Sequence, residues 1–207
     1  MPSIISVGAG PVGLVAAMFL DEAGVDCIVL EADETVSSGL RASTFHPPTL
    51  DFLDKLGVTQ NLVDQGLICQ HWQFRDRNQG TIATFDLSLL EGETSFPFRL
   101  QCEQWKLTKA LRDYIENHPD GELITETKAE TVGQDDDKVW VNVKNKDGSK
   151  TKYLAKFLIG ADGARSIVRK GINAEFEGMT IPEIFLVLST KFRYEQAIPD
   201  LANIAYI

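Results

Sequence analysis

Three glycines with the spacing Gly-x-Gly-x-x-Gly lie near the start of the sequence, at Gly8, Gly10 and Gly13. They follow a β-branched segment, 4–7, that predicts a buried strand, and they precede an apolar periodicity that predicts a helix. Strand, glycine turn and helix are the context in which this spacing indicates a dinucleotide site. Gly8 permits the tight turn, Gly10 lets the backbone approach a pyrophosphate, and Gly13 lets helix and strand pack closely.

The first turn of the predicted helix offers backbone donors for a phosphate. Pro11 lies at the first helical position, where its missing N–H costs little, and Val12 follows it. The N–H groups of a first helical turn have no partners within the helix, and the helix dipole is positive at that end. Both properties attract a phosphate anion.

A second strand is predicted over 26–30, and Glu31 follows it directly, 18 residues after Gly13. This distance is close to the one at which a carboxylate accepts hydrogen bonds from a ribose in dinucleotide sites. By itself Glu31 would be interpreted as an exposed carboxylate at the end of a strand. The order of strand, glycine turn, helix and second strand favours a ribose contact, and it places Ala32 beside the nucleotide too.

Composition is typical of a globular protein and excludes several classes of function. The chain has 207 residues, of which 43% are hydrophobic and 24% charged, enough for one or two domains. Its net charge of −10 argues against binding to a nucleic-acid backbone. No apolar run approaches the ~18 residues that span a bilayer, and no signal peptide precedes the first strand. We therefore expect a cytoplasmic protein that binds neither nucleic acid nor membrane.

The side chains offer little chemistry of their own. Cys27, Cys69 and Cys102 form no Cys-x-x-Cys pair, and the three histidines lack metal-ligand spacing. A Gly-x-Ser-x-Gly nucleophile motif is also missing. These observations predict no metal site and no catalytic side chain, so that any chemistry would have to come from a cofactor.

The rest of the sequence predicts a second loop at the same site and an inserted sheet. The apolar strand 157–159, predicted to be buried on both faces, leads into Asp162-Gly163 and a short helix. Aromatic residues among turn formers over 67–100 predict a separate sheet, and Gln101 lies just before the next helix. Arg41 lies in a polar loop over 32–43, where a phosphate contact and simple exposure are equally compatible with its position.

These segments together resemble the aromatic-ring hydroxylases, a family of flavoprotein monooxygenases related to p-hydroxybenzoate hydroxylase. The resemblance covers nearly all of the sequence and corresponds to roughly the first half of such an enzyme. Four stretches carry it: the glycine turn with Glu31; Gly39-Leu40-Arg41-Ala42 and the leucine-rich helix that ends at Gly57; Gln101 with Leu107 and Leu111; and Ala161-Asp162-Gly163 with Ser166, Val168 and Arg169.

The resemblance implies an α/β fold with a Rossmann-like FAD-binding domain and an inserted, incomplete antiparallel sheet of a substrate domain. The first would cover 1–66 plus 101–175, and the second 67–100 plus 176–207. FAD is the implied cofactor, NADH or NADPH the co-substrate, and a phenolic compound the substrate that receives one oxygen atom from dioxygen. The cofactor-binding residues predicted in this way are Gly8, Gly10, Pro11, Val12, Gly13, Glu31, Ala32, Arg41, Gln101, Asp162 and Gly163.

One departure from the family pattern concerns a later Gly-Asp motif, which has no counterpart after Asp162-Gly163. We therefore expect the sequence to be part of a longer reading frame, to retain little FAD alone, and to self-associate through the truncated sheet. Two alternatives remain open. One is an FAD oxidoreductase of the same fold, such as an epoxidase or a reductase, and the other is a nucleotide-binding remnant without catalysis.

Overall fold

The computed structural model describes residues 1–39, 42–118 and 122–207. Its helices are α1 (Pro11–Glu22), α2 (Pro47–Asp54), α3 (Thr59–Gln65), α4 (Gln104–Asn117), α5 (Ile167–Gly171) and α6 (Tyr194–Ala197). Its strands are β1 (Ile4–Val7), β2 (Cys27–Leu30), β3 (Thr44–Phe45), β4 (Leu67–Cys69), β5 (His71–Asp76), β6 (Gly80–Asp86), β7 (Arg99–Gln101), β8 (Glu122–Ile124), β9 (Thr127–Gln134), β10 (Val139–Asn145), β11 (Lys150–Ala155), β12 (Phe157–Gly160) and β13 (Ile204–Tyr206).

A parallel sheet with the order β12-β1-β2-β8 forms the centre of the molecule. Successive strand residues point to opposite faces, so Val29 packs with α1 and α4 while Ile5 and Leu30 pack on the other side. The antiparallel sheet β11-β10-β9 covers that second side through Val141 and Val143. Helices on one face and a sheet on the other confirm the predicted α/β class.

Strand β12 lies at an edge of the parallel sheet, and its burial differs from the prediction. Phe157 is 66% exposed, and Leu158 and Ile159 are only partly buried. The prediction of a strand buried on both faces was therefore wrong. An apolar run in the sequence does not distinguish a central strand from an edge strand, because pairing with distant segments decides the strand order.

The inserted region contributes to two small sheets. Strand β7 pairs antiparallel with β3 and β4, whereas β5 and β6 form a hairpin that β13 joins in parallel to β5. The second sheet is thus mixed and not purely antiparallel. Phe96 and Phe98 lie in the segment 67–100 that was predicted to form a separate sheet, but they pack against the core cluster to which α1 and α4 contribute. The domain boundaries at 66/67 and 100/101 fall in the β3-β7-β4 sheet, and the division remains a prediction.

The segment between α5 and α6 has no helix or strand, although its apolar and alternating residues predict strands. Ile184 is 99% exposed, and the side chains of residues 185–188 are 73–88% exposed. A strand requires a neighbour for its backbone N–H and C=O groups, and this segment pairs with none of the described strands.

A polar network attaches β13 to the hairpin. The Gln73 side chain donates to the Asp200 carbonyl and accepts from the Ala202 N–H, both at 2.9 Å. The Arg75 guanidinium, only 7% exposed, donates to both carboxylate oxygens of Asp200 at 3.1 and 3.2 Å. This hydrogen bonding holds the pKa of the Asp200 carboxyl below its usual value. The network fixes the turn that brings Ile204–Tyr206 beside β5.

We predict that Asp200→Asn loosens β13 without unfolding the protein. The amide keeps the shape but not the charge, so the bidentate contact with the buried Arg75 weakens. Amide exchange at Ile204–Tyr206, followed by mass spectrometry, is expected to accelerate about 3- to 10-fold. Asp136→Asn in an exposed turn is the control and should change nothing. Equal exchange in both variants would contradict the assigned role of the network.

Candidate functional site

A cleft of about 500 Å³ lies where the carboxyl ends of β1, β2 and β12 meet. Parallel strands place the loops that follow them at one edge of the sheet, which is where ligands bind in open α/β folds. The loop after β1 leads into α1, the loop after β2 begins with Glu31, and the loop after β12 contains Asp162. The start of α4 and residues 127–129 complete the walls.

Gly8 and Gly13 are required by the fold at this edge. Gly8 has φ +102°, and a Cβ there would lie 2.5 Å from the carbonyl oxygen of Ala161. A Cβ at Gly13 would run into the carbonyl oxygen of Gly8. The turn after β1 is thus pressed between β12 and α1, in agreement with the tight turn and close packing predicted from the sequence.

Gly10 is different, because the protein itself leaves room for a side chain. Its backbone is extended, with φ −73° and ψ 176°, and an added Cβ would meet nothing within 4 Å. Pro11 begins α1 directly after it, and Val12 is 70% exposed. The first N–H groups of α1 therefore face open space in the cleft. The space beside Gly10 that a Cβ would occupy is empty, and it allows the close approach of a pyrophosphate.

Glu31 orders the glycine turn with its carboxylate. Oε2 accepts the Ala9 N–H at 2.6 Å, and Oε1 accepts the Asp33 N–H at 2.9 Å. The backbone is held from the other side, since the Glu31 N–H donates to Ile124 and its carbonyl accepts from Thr127, both at 2.8 Å. Each carboxylate oxygen retains a lone pair for a further donor. The geometry is compatible with the predicted ribose contact, which remains a prediction.

Asp162 supplies the second acceptor of the cleft. Its Oδ2 accepts the N–H groups of Ile167 and Val168 at 2.6 and 3.3 Å, which caps the start of α5. Its Oδ1 is buried and has no hydrogen-bond partner within the described part of the chain. A buried, unpaired carboxylate oxygen costs free energy unless a ligand donor satisfies it. This oxygen therefore fits a bound molecule that carries a hydroxyl or N–H group.

The structure brings most of the predicted cofactor-binding residues to this cleft. Gly13 lies behind the turn, outside the lining. Gln101 also lies outside it, and its side-chain oxygen accepts from the hydroxyl of Thr44 at 3.0 Å. Arg41 falls outside the described residues. The predicted residues that line the cleft are Gly8, Gly10, Pro11, Val12, Glu31, Ala32, Asp162 and Gly163.

Sequence reasoning missed several other residues of the lining. Trp105, Thr108 and Arg112 approach from α4, and Thr127–Ala129 follow β8. The position of residues 127–129 follows from the strand order. Strand β8 is parallel to β2, so its carboxyl end reaches the same edge of the sheet. The face of α4 gave no comparable signal, since packing against α1 decides which residues turn toward the cleft.

His, Cys, Asp and Glu side chains also occur outside the cleft. Within 1–39, 42–118 and 122–207, no group of His, Cys, Asp and Glu side chains is placed to hold a metal ion. None of the helices in those ranges is both long and apolar enough to cross a membrane. Cys69 and Cys102 are buried, and burial raises the pKa of the Cys27 thiol to about 11.

Comparison with known proteins places this architecture in a family. Residues 2–205 match the family described as "FAD binding domain". The para-nitrophenol 4-monooxygenase of Pseudomonas sp. strain WBC-3 is 33% identical over 88% of this chain and 45% of its own length. The 6-hydroxy-3-succinoylpyridine 3-monooxygenase of Pseudomonas putida strain S16 is 34% identical over 93% of this chain and 49% of its own length.

A solved structure agrees with these relatives. The p-nitrophenol 4-monooxygenase from Pseudomonas putida DLL-E4 superposes with a TM-score of 0.83 and 33% identity, covering 87% of this chain and 46% of that one. The chain thus spans about half the length of the relatives it matches. It belongs to the FAD-binding-domain family and, within it, to the FAD-dependent aromatic hydroxylases. The predicted family is confirmed.

We predict that Gly8→Ala lowers the stability of the fold, whereas Gly10→Ala weakens ligand binding without changing stability. Gly8→Ala should lower Tm by at least about 4 °C, because a left-handed residue and a backbone clash cost several kcal/mol. Gly10→Ala should unfold at the wild-type temperature. It should instead lose most of the increase in Tm that ADP, the adenosine-pyrophosphate half of FAD, gives the wild type. Equal Tm values for the two variants would contradict this assignment.

Proposed function

We propose that this chain is the FAD-binding part of a monooxygenase that uses NADH or NADPH and dioxygen to hydroxylate a phenolic compound. The observation that carries the proposal is its 33% identity with a para-nitrophenol 4-monooxygenase over 88% of the chain. The cleft independently supports the FAD-binding part of this proposal. It combines an open helix N-terminus with two carboxylates, which suits a pyrophosphate flanked by hydroxyl-bearing groups.

Each part of the cleft has a proposed role toward FAD. Gly10 and the first turn of α1 would hold the pyrophosphate through backbone N–H groups, and Glu31 would accept a ribose hydroxyl. The unpaired oxygen of Asp162 would accept a further hydroxyl of the cofactor. Gln101 would face the ribityl–flavin region, and Arg41 would lie near the pyrophosphate and the flavin. When bound, FAD supplies the redox chemistry between the nicotinamide, dioxygen and the aromatic ring, so the protein needs no nucleophile.

We also propose that the chain contributes to two structural units and that the protein is cytoplasmic. Residues 1–66 and 101–175 would form the cofactor unit, and 67–100 with 176–207 would contribute to the substrate unit. The separation of the β12-β1-β2-β8 sheet from the β13-β5-β6 sheet supports this division. We place the protein in the cytoplasm, where cysteine thiols stay reduced.

The test of function uses the complete gene product, whatever its length, with FAD, NADH or NADPH, and 4-nitrophenol. We expect oxygen uptake that depends on the phenol, and incorporation of one atom of ¹⁸O from ¹⁸O₂ into the ring, measured by mass spectrometry. The 207-residue chain alone is the control, and we expect no coupled turnover from it. An epoxide, a reduced double bond or no flavin-dependent product across substituted phenols would contradict the proposal in favour of the same-fold alternatives.

We also propose that the chain self-associates through the apolar segment Ile184–Leu188. Five consecutive apolar side chains, each 73–99% exposed, form a surface that soluble monomers rarely present. A segment of β-forming residues with free backbone groups is also suited to pair with a second copy.

The double variant Phe185→Ser, Val187→Ser is expected to reduce this association. Light scattering after size-exclusion chromatography should give a larger mass for the wild type than for the variant at micromolar concentration. Leu89→Ser is the matched control, because Leu89 is 84% exposed but lies outside the segment Ile184–Leu188. A wild-type chain that remains monomeric, or a control that also lowers the mass, would contradict the role of this segment.

A further inference from the structure

Glu126 has an unusual backbone conformation in the loop between β8 and β9. Its φ angle is +55°, in the left-handed region that glycine and asparagine adopt most readily. A glutamate in this conformation costs free energy unless its surroundings stabilise it, and such residues concentrate at functional sites. Glu126 directly precedes residues 127–129, which line the cleft. The interactions that hold Glu126 therefore also decide where one wall of the cleft lies.

The turn that contains Glu126 is hydrogen-bonded to Glu31 at both of its ends. The Glu31 N–H donates to the carbonyl of Ile124, and the Glu31 carbonyl accepts the N–H of Thr127, both at 2.8 Å. Within the turn, the Thr127 hydroxyl donates to the carbonyl of Thr125 at 2.8 Å. The position of Glu31, the proposed ribose acceptor, thus depends on the conformation of this turn.

Lys146 is placed beside Glu126 by the register of the β9–β10 pair. These strands are antiparallel and Asn145 lies opposite Thr127, so the next residue, Lys146, comes opposite Glu126. The Asn145 N–H donates to the carbonyl of Ser149 at 2.9 Å, which closes the hairpin turn that contains Lys146. The lysine therefore projects from a turn that backbone hydrogen bonding holds in place.

The ammonium group of Lys146 pairs with carboxylates from two different segments. It contacts the carboxylate of Glu126 and lies 3.5 Å from a carboxylate oxygen of Glu34. The hydrogen bond with Glu126 and the charges of both carboxylates hold the pKa of Lys146 above its usual value. Glu34 lies in the loop after β2, between Asp33 and Thr35, and both of these neighbours line the cleft. We call Lys146, Glu34 and Glu126 the Lys146 network.

The Lys146 network joins two segments that line the cleft. One follows β2 and contains Glu31 and Glu34, and the other, 127–129, follows β8. An isolated ion pair at the surface contributes little to stability, but a charge shared by two carboxylates restrains two backbone segments at once. The side chain of Glu126 is only 29% exposed, against 66% for Lys146 and 67% for Glu34. The network therefore affects the spacing of the two segments more than the stability of the fold.

We propose that Lys146 is a positioning residue for the adenosine of FAD. It holds Glu126 in the left-handed conformation with Glu34 beside it, and so fixes the two segments between which the nucleoside lies. The inference rests on the proposed function, in which Glu31 accepts a ribose hydroxyl. Lys146 needs no contact with FAD, because it acts through the turn that is bonded to Glu31 and through the loop after β2.

The test measures the binding of ADP and of inorganic pyrophosphate to the complete gene product after removal of its flavin, by isothermal titration calorimetry. Both probes carry the phosphates proposed to bind at Gly10, but only ADP has a nucleoside, so we expect the wild type to prefer ADP. Lys146→Met keeps the length of the side chain and removes its charge. It should raise the Kd of ADP about 3- to 10-fold and change that of pyrophosphate less than about twofold. Its Tm should stay within about 2 °C of wild type.

A second lysine of the same sheet provides the matched control. Lys138 pairs with Asp135 at 3.8 Å in the turn at the other end of β9 and β10. Lys138→Met therefore removes an exposed ion pair from this sheet without touching the segments that line the cleft. It should leave both Kd values within about twofold of wild type.

Two variants of Glu126 test whether Lys146 acts through the turn. Glu126→Gln removes the ion pair but keeps the strained conformation, so it should weaken ADP binding as much as Lys146→Met does. Glu126→Gly removes the strain, because glycine adopts a φ of +55° readily. Adding Lys146→Met to Glu126→Gly should then change the Kd of ADP less than about twofold.

Equal losses for ADP and pyrophosphate would show a long-range effect of charge and would overturn the inference. A wild type without preference for ADP, or a full loss in the Glu126→Gly background, would overturn it too. The proposed function is judged separately, by ¹⁸O incorporation in the complete gene product. A hydroxylase whose ADP affinity is indifferent to Lys146 would contradict only the inference. An ADP site that depends on Lys146, in a gene product without hydroxylation, would support the inference and contradict the function.

Discussion

The close approach of two backbone turns, at Gly8 and Ala161, is the constraint on which the cleft depends. Because the turn after β1 lies directly against the turn after β12, residues far apart in sequence line one cavity. The same approach determines where Asp162 lies, since it directly follows Ala161. Glu31 then fixes the turn from the β2 side through the Ala9 N–H. The cleft is therefore built largely from backbone geometry, with two carboxylates added at its sides.

The sequence predicted this part of the molecule well because its signals are local. The glycine spacing, the strand before it and the carboxylate after the next strand each depend on residues within one βαβ unit. The leucine-rich helix before Gly57 has the same kind of local signal: Leu50 and Leu53 share a buried face of α2, and Gly57 follows that helix with φ +68°. The Asp147-Gly148 dipeptide is also a local signal, since it is typical of a hairpin turn, and β10 and β11 pair antiparallel on either side of it.

What the sequence could not predict depends on distant pairing. The exposure of Phe157 follows from the edge position of β12, and the parallel addition of β13 follows from a polar network between Gln73, Arg75 and Asp200. No rule of residue spacing in the sequence predicts either feature. The contribution of α4 to the cleft likewise requires knowing how α4 packs on α1. Residue type identified the candidates, and tertiary contacts selected among them.

Strand β7 connects two small sheets through side chains that lie two residues apart. The Gln101 side chain accepts from the Thr44 hydroxyl of β3. The Arg99 guanidinium lies 4.8 Å from the centre of the Trp72 ring and donates to the Tyr206 hydroxyl, which belong to β5 and β13. Alternate residues of a strand leave the same face. One short strand therefore holds the β13-β5-β6 sheet against the β3-β7-β4 sheet, and this contact is made by residues that no local pattern brings together.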